Sequence, residues 1–351
     1  MRPSHLSLLP LFTFLLSACS ETELSKHDSP SSAPGLYPIE VGGKCGFINI
    51  DGQPVIGPQF DEERGFSEHL AAVEISRKWG FIDTSGRFAV DPVFDYLDDL
   101  NDGVAQAQIG GTWIDIDRTG RILLPLPFDR HADFMEGFAW VSSGGRSGFI
   151  DKMGRIAIPL QFEDVDFGFR EGLAAVRLGE KWGYIDKSGR YVINPQFDWT
   201  GGFSEGLAAI LMRGEFGYID RAGEMVIKPQ FEDAGNFGEG LAAVEFGKKW
   251  GYIDKRGRYI INPQFDDSAD FYEGLAGVKL GGKWGFIDES GRTAIAPQFH
   301  GHDFRLRDLR VFGRGSYGEE FSFYGGIARV PLPGNSYGGY INKSGKFIWK
   351  P

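Results

Sequence analysis

Several features that identify a class of protein are scarce in this chain of 351 residues. Two cysteines are too few for a disulfide framework, and the 51 glycines show no period of three, which excludes collagen. Basic residues (37) are fewer than acidic ones (48), so the net charge is −11, which argues against nucleic acid as the main partner. Glycine and aromatic residues are abundant instead, and 14% aromatic content argues against disorder.

The first 18 residues differ from the rest. Arg2 precedes an apolar run over 6–16, the layout of a secretory signal that is too short to span a bilayer. The run ends in Leu-Ser-Ala-Cys19, which resembles the lipobox of bacterial lipoproteins and implies cleavage before Cys19 with lipid on its sulfur. Because serine follows the cysteine, the resemblance also implies the outer membrane. We therefore expect a signal peptide (1–18), a polar flexible tether (19–34) and a lipid-anchored protein of the cell envelope.

One motif recurs through the remainder of the chain. It reads Lys-Trp-Gly-[Phe/Tyr]-Ile-Asp, and its glycine column recurs every 34 or 35 residues until a last step of 54. That column holds Gly46, Gly80, Ile114, Gly148, Gly183, Gly217, Gly251, Gly285 and Gly339. The Phe of Pro-Gln-Phe keeps the same phase, so residues 35–351 form one repeat array rather than two or three domains.

Each repeat contains three strand-like stretches, as in Leu241–Phe246, Trp250–Ile253 and Arg258–Ile261. Asp-x-x-Gly suits a type I turn between the second and third, and the Pro of Pro-Gln-Phe, which lacks an N–H, is expected to end the ladder. We predict an all-β fold of nine three-stranded antiparallel meander units stacked as an open solenoid. A closed toroid or β-propeller-like ring is the alternative, although three strands are one fewer than a usual blade has.

Together with a recurring Phe-x-Glu-Gly-Leu-Ala run, these motifs resemble the WG (also called KWG) repeat family of bacterial proteins. The resemblance covers residues 35–299 and 323–351, and it implies a β-rich repeat fold, binding roles and no catalytic residues. The chain departs from the pattern at Ile114, which replaces the glycine, and at four positions of the Trp column. Those four are Cys45, Ser147, Phe216 and Gly338. We expect these units to pack less well.

Two side-chain columns are candidates for binding. The tryptophans could stack sugars or choline, although core packing is the stronger interpretation: Trp79, Trp113, Trp182, Trp250 and Trp284. The acidic column could bind cations or basic peptides, although turn carboxylates that accept backbone N–H groups and face the lysine of Lys-Trp-Gly are the stronger interpretation: Glu68, Asp102, Glu136, Glu171, Glu205, Glu239 and Glu273. No calcium-loop pattern appears, and we expect neither metal nor cofactor.

An insertion of 18 residues interrupts the period within 300–322. Its stretch 304–317 is basic and aromatic in an acidic chain, and it suits an acidic or planar ligand because Arg combines forked donors with a stacking face. Its candidate residues are Phe304, Arg305, Arg307, Arg310, Phe312, Arg314 and Tyr317. Insertions in repeat proteins often map to the binding face, and a tolerated excursion or end cap is the alternative.

The motifs predict no enzyme. Matches to G-x-G-x-x-G at 313–318 and to G-x-S-x-G at 334–338 lack the strand–turn–helix context that those motifs require. We expect a non-enzymatic envelope lipoprotein that serves as a scaffold for an unidentified protein partner, with membrane contact through Cys19 and no nucleic acid. An envelope carbohydrate or peptidoglycan binder and an immunity-type protein that blocks a partner toxin are the alternatives.

Overall fold

The computed structural model describes residues 35–124, 128, 130–300, 321–332 and 335–351. All regular structure in these residues is β, which confirms the predicted all-β class. A helix with the length and hydrophobicity to cross a membrane does not occur in the described part of the chain. The predicted signal peptide, Cys19 and tether lie outside the described residues.

Nine antiparallel sheets follow one another along the described chain, each a meander of consecutive strands. The first three sheets contain β1 (Tyr37–Val41), β2 (Lys44–Ile48) and β3 (Pro54–Phe60); β4 (Glu62–Ser67), β5 (Leu70–Ile75), β6 (Lys78–Asp83) and β7 (Phe88–Phe94); and β8 (Tyr96–Leu97), β9 (Val104–Ile109), β10 (Thr112–Asp117) and β11 (Ile122–Leu124).

The middle three sheets contain β12 (Arg130–His131), β13 (Phe138–Ser143), β14 (Arg146–Asp151) and β15 (Ile156–Phe162); β16 (Asp164–Arg170), β17 (Leu173–Leu178), β18 (Lys181–Asp186) and β19 (Tyr191–Phe197); and β20 (Trp199–Thr200), β21 (Leu207–Met212), β22 (Glu215–Asp220) and β23 (Met225–Phe231). The last three contain β24 (Asp233–Ala234), β25 (Leu241–Phe246), β26 (Lys249–Asp254) and β27 (Tyr259–Phe265); β28 (Asp267–Ser268), β29 (Leu275–Leu280), β30 (Lys283–Asp288) and β31 (Thr293–Phe299); and β32 (Phe323–Tyr324), β33 (Ile327–Leu332), β34 (Asn335–Asn342) and β35 (Phe347–Trp349).

Eight of the nine described sheets have four strands, so the prediction of three strands per unit was wrong. We call the four strands a to d in chain order; the first sheet has only b, c and d. The missed strand a has two residues in most sheets, as in Asp233–Ala234, but six in β4 and seven in β16. One residue separates Asp233 from Phe231, the end of strand d of the preceding sheet, so the extended chain continues from one sheet into the next.

Strand d runs through Pro-Gln-Phe instead of ending before it. In the seventh sheet Trp250 pairs with Phe265 and Tyr252 pairs with Ile261, so Gly251 alone lies opposite a bulge of three residues. A Cβ on Gly251 would lie 2.6 Å from the Ile261 carbonyl oxygen. The glycine of Trp-Gly is required because the bulged backbone fills the space of a side chain. The expectation that proline ends the ladder was therefore wrong, because the proline lies within the bulge.

The first and last sheets contact each other and close the array into a ring. The hydroxyl of Tyr37 donates to the carbonyl oxygens of Tyr324 (3.1 Å) and Gly325 (3.0 Å), and the hydroxyl of Tyr340 donates to that of Pro38 (2.9 Å). An apolar cluster of both sheets surrounds these bonds: Tyr37, Ile39, Ile48, Ile327 and Tyr340. The predicted open solenoid was wrong, and the alternative, a closed β-propeller-like ring of nine blades, is confirmed.

Packing between neighbouring blades repeats one aromatic contact. The aromatic side chain at the fourth position of strand c meets the Phe of Phe-x-Glu in the next blade, with ring centroids 4.8 Å apart for Tyr184 and Phe203 and 4.9 Å for Tyr218 and Phe237. The Tyr184 hydroxyl also donates to the carbonyl oxygen of Gly201 in that next blade, at 2.6 Å. Such pairs contribute beyond the area that they bury, so the core lies between blades.

The meander gives the ring two distinct faces. The a–b turns and the c–d turns lie together on one side, which we call the Glu–Gly face after its repeated turn residues. The b–c turns and the d–a junctions lie together on the other side, which we call the Lys–Asp face. The described chain begins at Gly35, directly before strand b of the first sheet, and therefore on the Glu–Gly face.

Candidate functional site

The tryptophan column is mostly part of the core. Trp79, Trp250 and Trp284 are buried, and Trp182 packs against a core cluster. Trp113 is the exception, with 45% of its surface exposed. A ladder of stacking platforms around the ring is therefore not formed, and one blade differs from the others.

The acidic column holds turns together. Glu171, Glu205 and Glu239 have positive φ, and each carboxylate accepts the backbone N–H of a glycine in the next blade. The bond from Gly240 to Glu205, for example, is 3.0 Å long. These residues are turn carboxylates as the stronger interpretation held, but their partners lie one blade further along. The same bond recurs for other column members on the Glu–Gly face: Glu68, Asp102, Glu136 and Glu273.

The expected pairing of this column with the lysine of Lys-Trp-Gly was wrong. The lysine that faces the acid comes from the c–d turn of the next blade, as for Lys255 and Glu205 at 3.1 Å. The lysine of Lys-Trp-Gly pairs with the carboxylate at the d–a junction, as for Lys249 and Asp266 at 2.5 Å. The topology separates the two, because the start of strand c and the a–b turn lie on opposite faces.

The third blade departs from the pattern where Ile114 occupies the glycine column. Its strand d is described over Ile122–Leu124, and residues 125–127 lie outside the described residues. Ile114 is buried and places a side chain where the regular blades place the bulge of strand d. In the described residues of this blade Trp113 has no pair on strand d, whereas Trp250 pairs with Phe265.

The next residues of the same strand are also unusual. Asp115 occupies the fourth position of strand c, which is Phe or Tyr in the other eight blades, and it is only 4% exposed. Burial raises the pKa of Asp115 to about 7, and the nearby charge of Asp133 in the fourth blade adds to the shift. The interface between the third and fourth blades therefore has a carboxyl group where the others have an aromatic ring.

Two rows of side chains lie on the same side of this sheet. Gln108 pairs with Tyr96 on one side and with Trp113 on the other, which makes the first row. Gln106, two residues earlier, pairs with Asp115, and its carbonyl oxygen accepts the Asp98 N–H at 2.8 Å, which makes the second. Residues two apart in a strand point to the same side. We call these six residues the third-blade patch: Tyr96, Asp98, Gln106, Gln108, Trp113 and Asp115.

Polar contacts hold the patch in place. The amide of Gln106 donates to Asp133 Oδ1 at 3.3 Å, and the amide of Gln108 donates to the Gly111 carbonyl oxygen at 3.4 Å. The rings of Tyr96 and Trp113 meet edge to face with centroids 5.3 Å apart. Tyr96, Gln106 and Gln108 remain partly exposed, so the side chains are both positioned and reachable from solvent.

Arg64 from the second blade borders the patch. Its guanidinium donates to the Tyr96 hydroxyl at 2.6 Å and lies 3.3 Å from a carboxylate oxygen of Asp98. On the other side, burial and the charge of Asp98 raise the pKa of Asp133 to about 6, although Arg64 and the Gln106 amide oppose that shift. Asp98 therefore has a cation beside it, whereas Asp115 and Asp133 retain protons at higher pH than ordinary aspartates do.

The sequence analysis recognised only part of this patch. Ile114 was noted as a departure and Trp113 as a column member, but Asp115, Gln106 and Asp133 were not. One signal was available, because Asp115 interrupts a column of aromatic residues one position after the glycine column.

The other candidate residues lie outside the described part of the chain. They are the seven residues of the insertion: Phe304, Arg305, Arg307, Arg310, Phe312, Arg314 and Tyr317. Its ends are described: Phe299 and Phe321 are buried in one cluster, and Phe299 ends strand d on the Lys–Asp face. In the described ranges no group of His, Cys, Asp and Glu side chains could hold a metal ion.

Comparison with known proteins gave one family and several distant folds. The model of the WG containing repeat matches residues 46–79, 79–113, 116–146, 148–182, 182–215, 216–250, 250–284 and 284–301. A crystal structure of a eukaryotic initiation factor is similar in fold, with 10% identity, coverage of 91% of this chain and 96% of that one, and a TM-score of 0.60.

Two further solved structures are more distant. Kluyveromyces lactis Hsv2p is 8% identical over 63% of this chain and 89% of its own, with a TM-score of 0.39. The extracellular domain of the putative one component system BT4673 from B. thetaiotaomicron is 11% identical over 77% of this chain and 44% of its own, with a TM-score of 0.36. A search of curated proteins found no match.

Proposed function

We propose that this chain, which belongs to the WG-repeat family, is a non-enzymatic scaffold of the cell envelope. It would be held at the membrane by lipid on Cys19 and would bind a protein partner. The partner would bind on the Lys–Asp face, at the insertion between the eighth and ninth blades. One observation carries this proposal: the ring accommodates the insertion without losing a strand.

The blades on both sides of the insertion are complete. The eighth blade ends with β31 and the ninth begins with β32, and both sheets have four strands. The segment is therefore an addition to a finished scaffold, which is where binding loops of repeat proteins occur. It brings four arginines to a chain with a net charge of −11. Arginine pairs with carboxylates through two parallel bonds, so an acidic surface on a protein partner suits it.

The position of the predicted tether supports the same face. Because the described chain begins at Gly35 on the Glu–Gly face, the tether leads to that face. A lipid on Cys19 would then turn the Glu–Gly face toward the membrane and leave the Lys–Asp face accessible. Anchor and binding loop would not compete for the same side of the ring.

Capture of partners from envelope extracts tests the proposal. In one variant the sequence of residues 266–268 replaces residues 300–320, which keeps the buried Phe321 and gives the ninth blade the short connection of a regular blade. We expect a protein captured stoichiometrically by the wild type to be lost with this variant at an unchanged melting temperature. Lys187→Ala, on the opposite face, is the matched control and should retain the partner.

Other outcomes would contradict separate parts of the proposal. An unchanged set of captured proteins would overturn the insertion as the binding site, and the absence of any stoichiometric protein would overturn the scaffold role. A captured toxin would identify the partner class of an immunity-type protein. Labelled palmitate should enter the wild type and not Cys19→Ala; equal labelling would exclude the anchor. A robust hydrolytic activity lost on substitution of one Ser, Asp or His would show an enzyme.

A further inference from the structure

We propose that the third-blade patch is a saccharide-binding site. Trp113 provides the stacking surface, and Gln106, Gln108 and Asp133 bind sugar hydroxyl groups. The site differs from the ladder of tryptophans considered from the sequence, because among the described blades it is formed at the third alone, with Asp133 of the fourth blade beside it. It is also independent of the proposed protein partner, which would bind between the eighth and ninth blades.

The aromatic side chains form a corner that solvent can reach. Trp113 is 45% exposed, whereas Trp250, at the same position of the seventh blade, is 5% exposed. The edge-to-face contact with Tyr96 fixes the Trp113 ring without covering it. The exposed face of the indole is an apolar surface against which the C–H face of a pyranose ring can stack.

The polar side chains beside this corner match hydroxyl groups. Each glutamine amide offers two donors and one acceptor, and Asp133 offers acceptors, so the set can serve groups that both donate and accept. Gln106 and Gln108 are two residues apart on β9, which places them about 7 Å apart, close to the width of one sugar ring. The bond from Gln106 to Asp133 already orients the amide, which reduces the entropy cost of binding.

The fifth, sixth and seventh blades lack the amide of Gln106. Where the third blade has Gln106, the fifth, sixth and seventh have the buried alanines Ala175, Ala209 and Ala243. The aromatic ring that covers such an alanine from strand c is absent in the third blade, because Asp115 replaces it. At the patch, partly exposed amide groups therefore replace the packing of an alanine against an aromatic ring.

The charge of the patch favours a neutral ligand. Arg64 already lies beside Asp98, so that carboxylate needs no further cation. Burial raises the pKa of Asp115 to about 7, so this side chain carries less negative charge near neutral pH than an ordinary aspartate. A neutral saccharide meets the available donors and acceptors without a charge of its own.

Titration with neutral tetrasaccharides tests the site. The probes are N-acetylchitotetraose, cellotetraose, maltotetraose and xylotetraose, added to the chain of residues 19–351 with Cys19→Ser up to about 10 mM and followed by calorimetry and saturation-transfer NMR. We expect at least one to bind with a Kd of about 0.1–1 mM. Trp113→Ala should weaken it at least tenfold and Gln106→Ala about fivefold. Phe246→Ala, which removes an exposed aromatic side chain from the seventh blade, is the matched control and should leave the Kd unchanged.

A double variant that restores the packing of a regular blade separates an effect on binding from an effect on folding. Gln106→Ala with Asp115→Tyr gives the third blade the residues of a regular blade, so it should abolish binding while the melting temperature stays the same or rises. Three results would overturn the proposal: no probe binds, binding survives Trp113→Ala, or tetralysine binds at the patch more tightly than every saccharide. The last would identify a site for basic peptides.

Discussion

The third and seventh blades have the same strand order, and their strands c differ at three positions, of which two are adjacent. The seventh has Gly251 and Tyr252, and the third has Ile114 and Asp115. In the seventh blade the bulge of strand d lies against the glycine and the tyrosine packs between blades. In the third, the tryptophan is exposed and a carboxyl group is buried.

The difference shows that the repeat motif is a set of coupled requirements. The glycine admits the bulge, the bulge brings Phe265 against Trp250, and the tyrosine ring fills the space to the next blade. In the third blade, where Ile114 replaces the glycine, the tryptophan is exposed. The ring still closes, so a single blade can depart from the motif and acquire new surface chemistry while its neighbours keep the fold.

Introducing the residue of the third blade into the seventh should have the largest effect. In Gly251→Ile the new Cβ would lie within 2.6 Å of backbone atoms of strand d, so the strand must move. We expect the free energy of unfolding in urea to fall by about 4 kcal/mol or more. Gly57→Ile, at an exposed strand position with no atom within 4 Å of the added Cβ, is the control and should cost less than about 1 kcal/mol. Equal losses in the two variants would contradict the requirement for glycine.

The buried carboxyl group of the third blade should make stability depend on pH. Its folded pKa, about 7, lies above the unfolded value near 4, so the unfolded state ionises first as the pH rises and the folded state loses stability between pH 4 and 7. Above pH 7 we expect a penalty on the order of 2–4 kcal/mol. The difference in unfolding free energy between wild type and Asp115→Asn, measured from pH 4 to 8, isolates this penalty. A difference that does not change with pH would contradict this expectation.

Repair of the third blade should be stabilising. Asp115→Tyr with Gln106→Ala removes the buried carboxyl group and restores the ring that the other interfaces have. We expect the free energy of unfolding at pH 7 to rise by about 1–3 kcal/mol, with a smaller gain at pH 4, where the carboxyl group is already protonated. The two single variants show which side chain is responsible. A double variant less stable than wild type at pH 7 would show that the interface cannot accept the ring.

A third difference between these blades, an exposed ion pair, should have the smallest effect on the free energy of unfolding. The lysine that pairs with Asp266 in the seventh blade, Lys249, is Thr112 in the third. Both members of the ion pair are more than a third exposed, so Lys249→Thr should change the free energy of unfolding by less than about 1 kcal/mol. The measurement is repeated in 0.5 M salt, which should reduce even that effect. A loss as large as that of Gly251→Ile would place the cause of the departure in the ion pair.

The sequence predicted what the local pattern determines. The repeat phase, the all-β class and the strand Leu241–Phe246 are confirmed because each depends on residues close together in one repeat. Strand a of the same blade was missed because Asp233–Ala234 is short and polar, and it is a strand only as a continuation of strand d. Ring closure was misjudged because an open and a closed array have the same pattern and differ in a small rotation between blades.

The patch on the third blade was only partly predictable for a related reason. Ile114 was visible as a departure from the motif. Its consequence depends on strand pairing, which brings Asp115 beside Gln106, and on blade packing, which brings Asp133 to the Gln106 amide. The period of the repeat carries no information about contacts between repeats, so no sequence signal linked residues of different blades.

The seam of the ring has a consequence for chain connectivity. In the described residues no strand is shared between the first and ninth sheets, so tyrosine hydroxyl bonds and apolar packing join them, and the covalent ends have no special place in the architecture. A linker with the sequence of residues 264–273 between Pro351 and Gly35 would complete strand d of the ninth blade and supply a strand a to the described first blade. New ends could then be opened in any exposed b–c turn, and the circularly permuted chain would have nine complete blades.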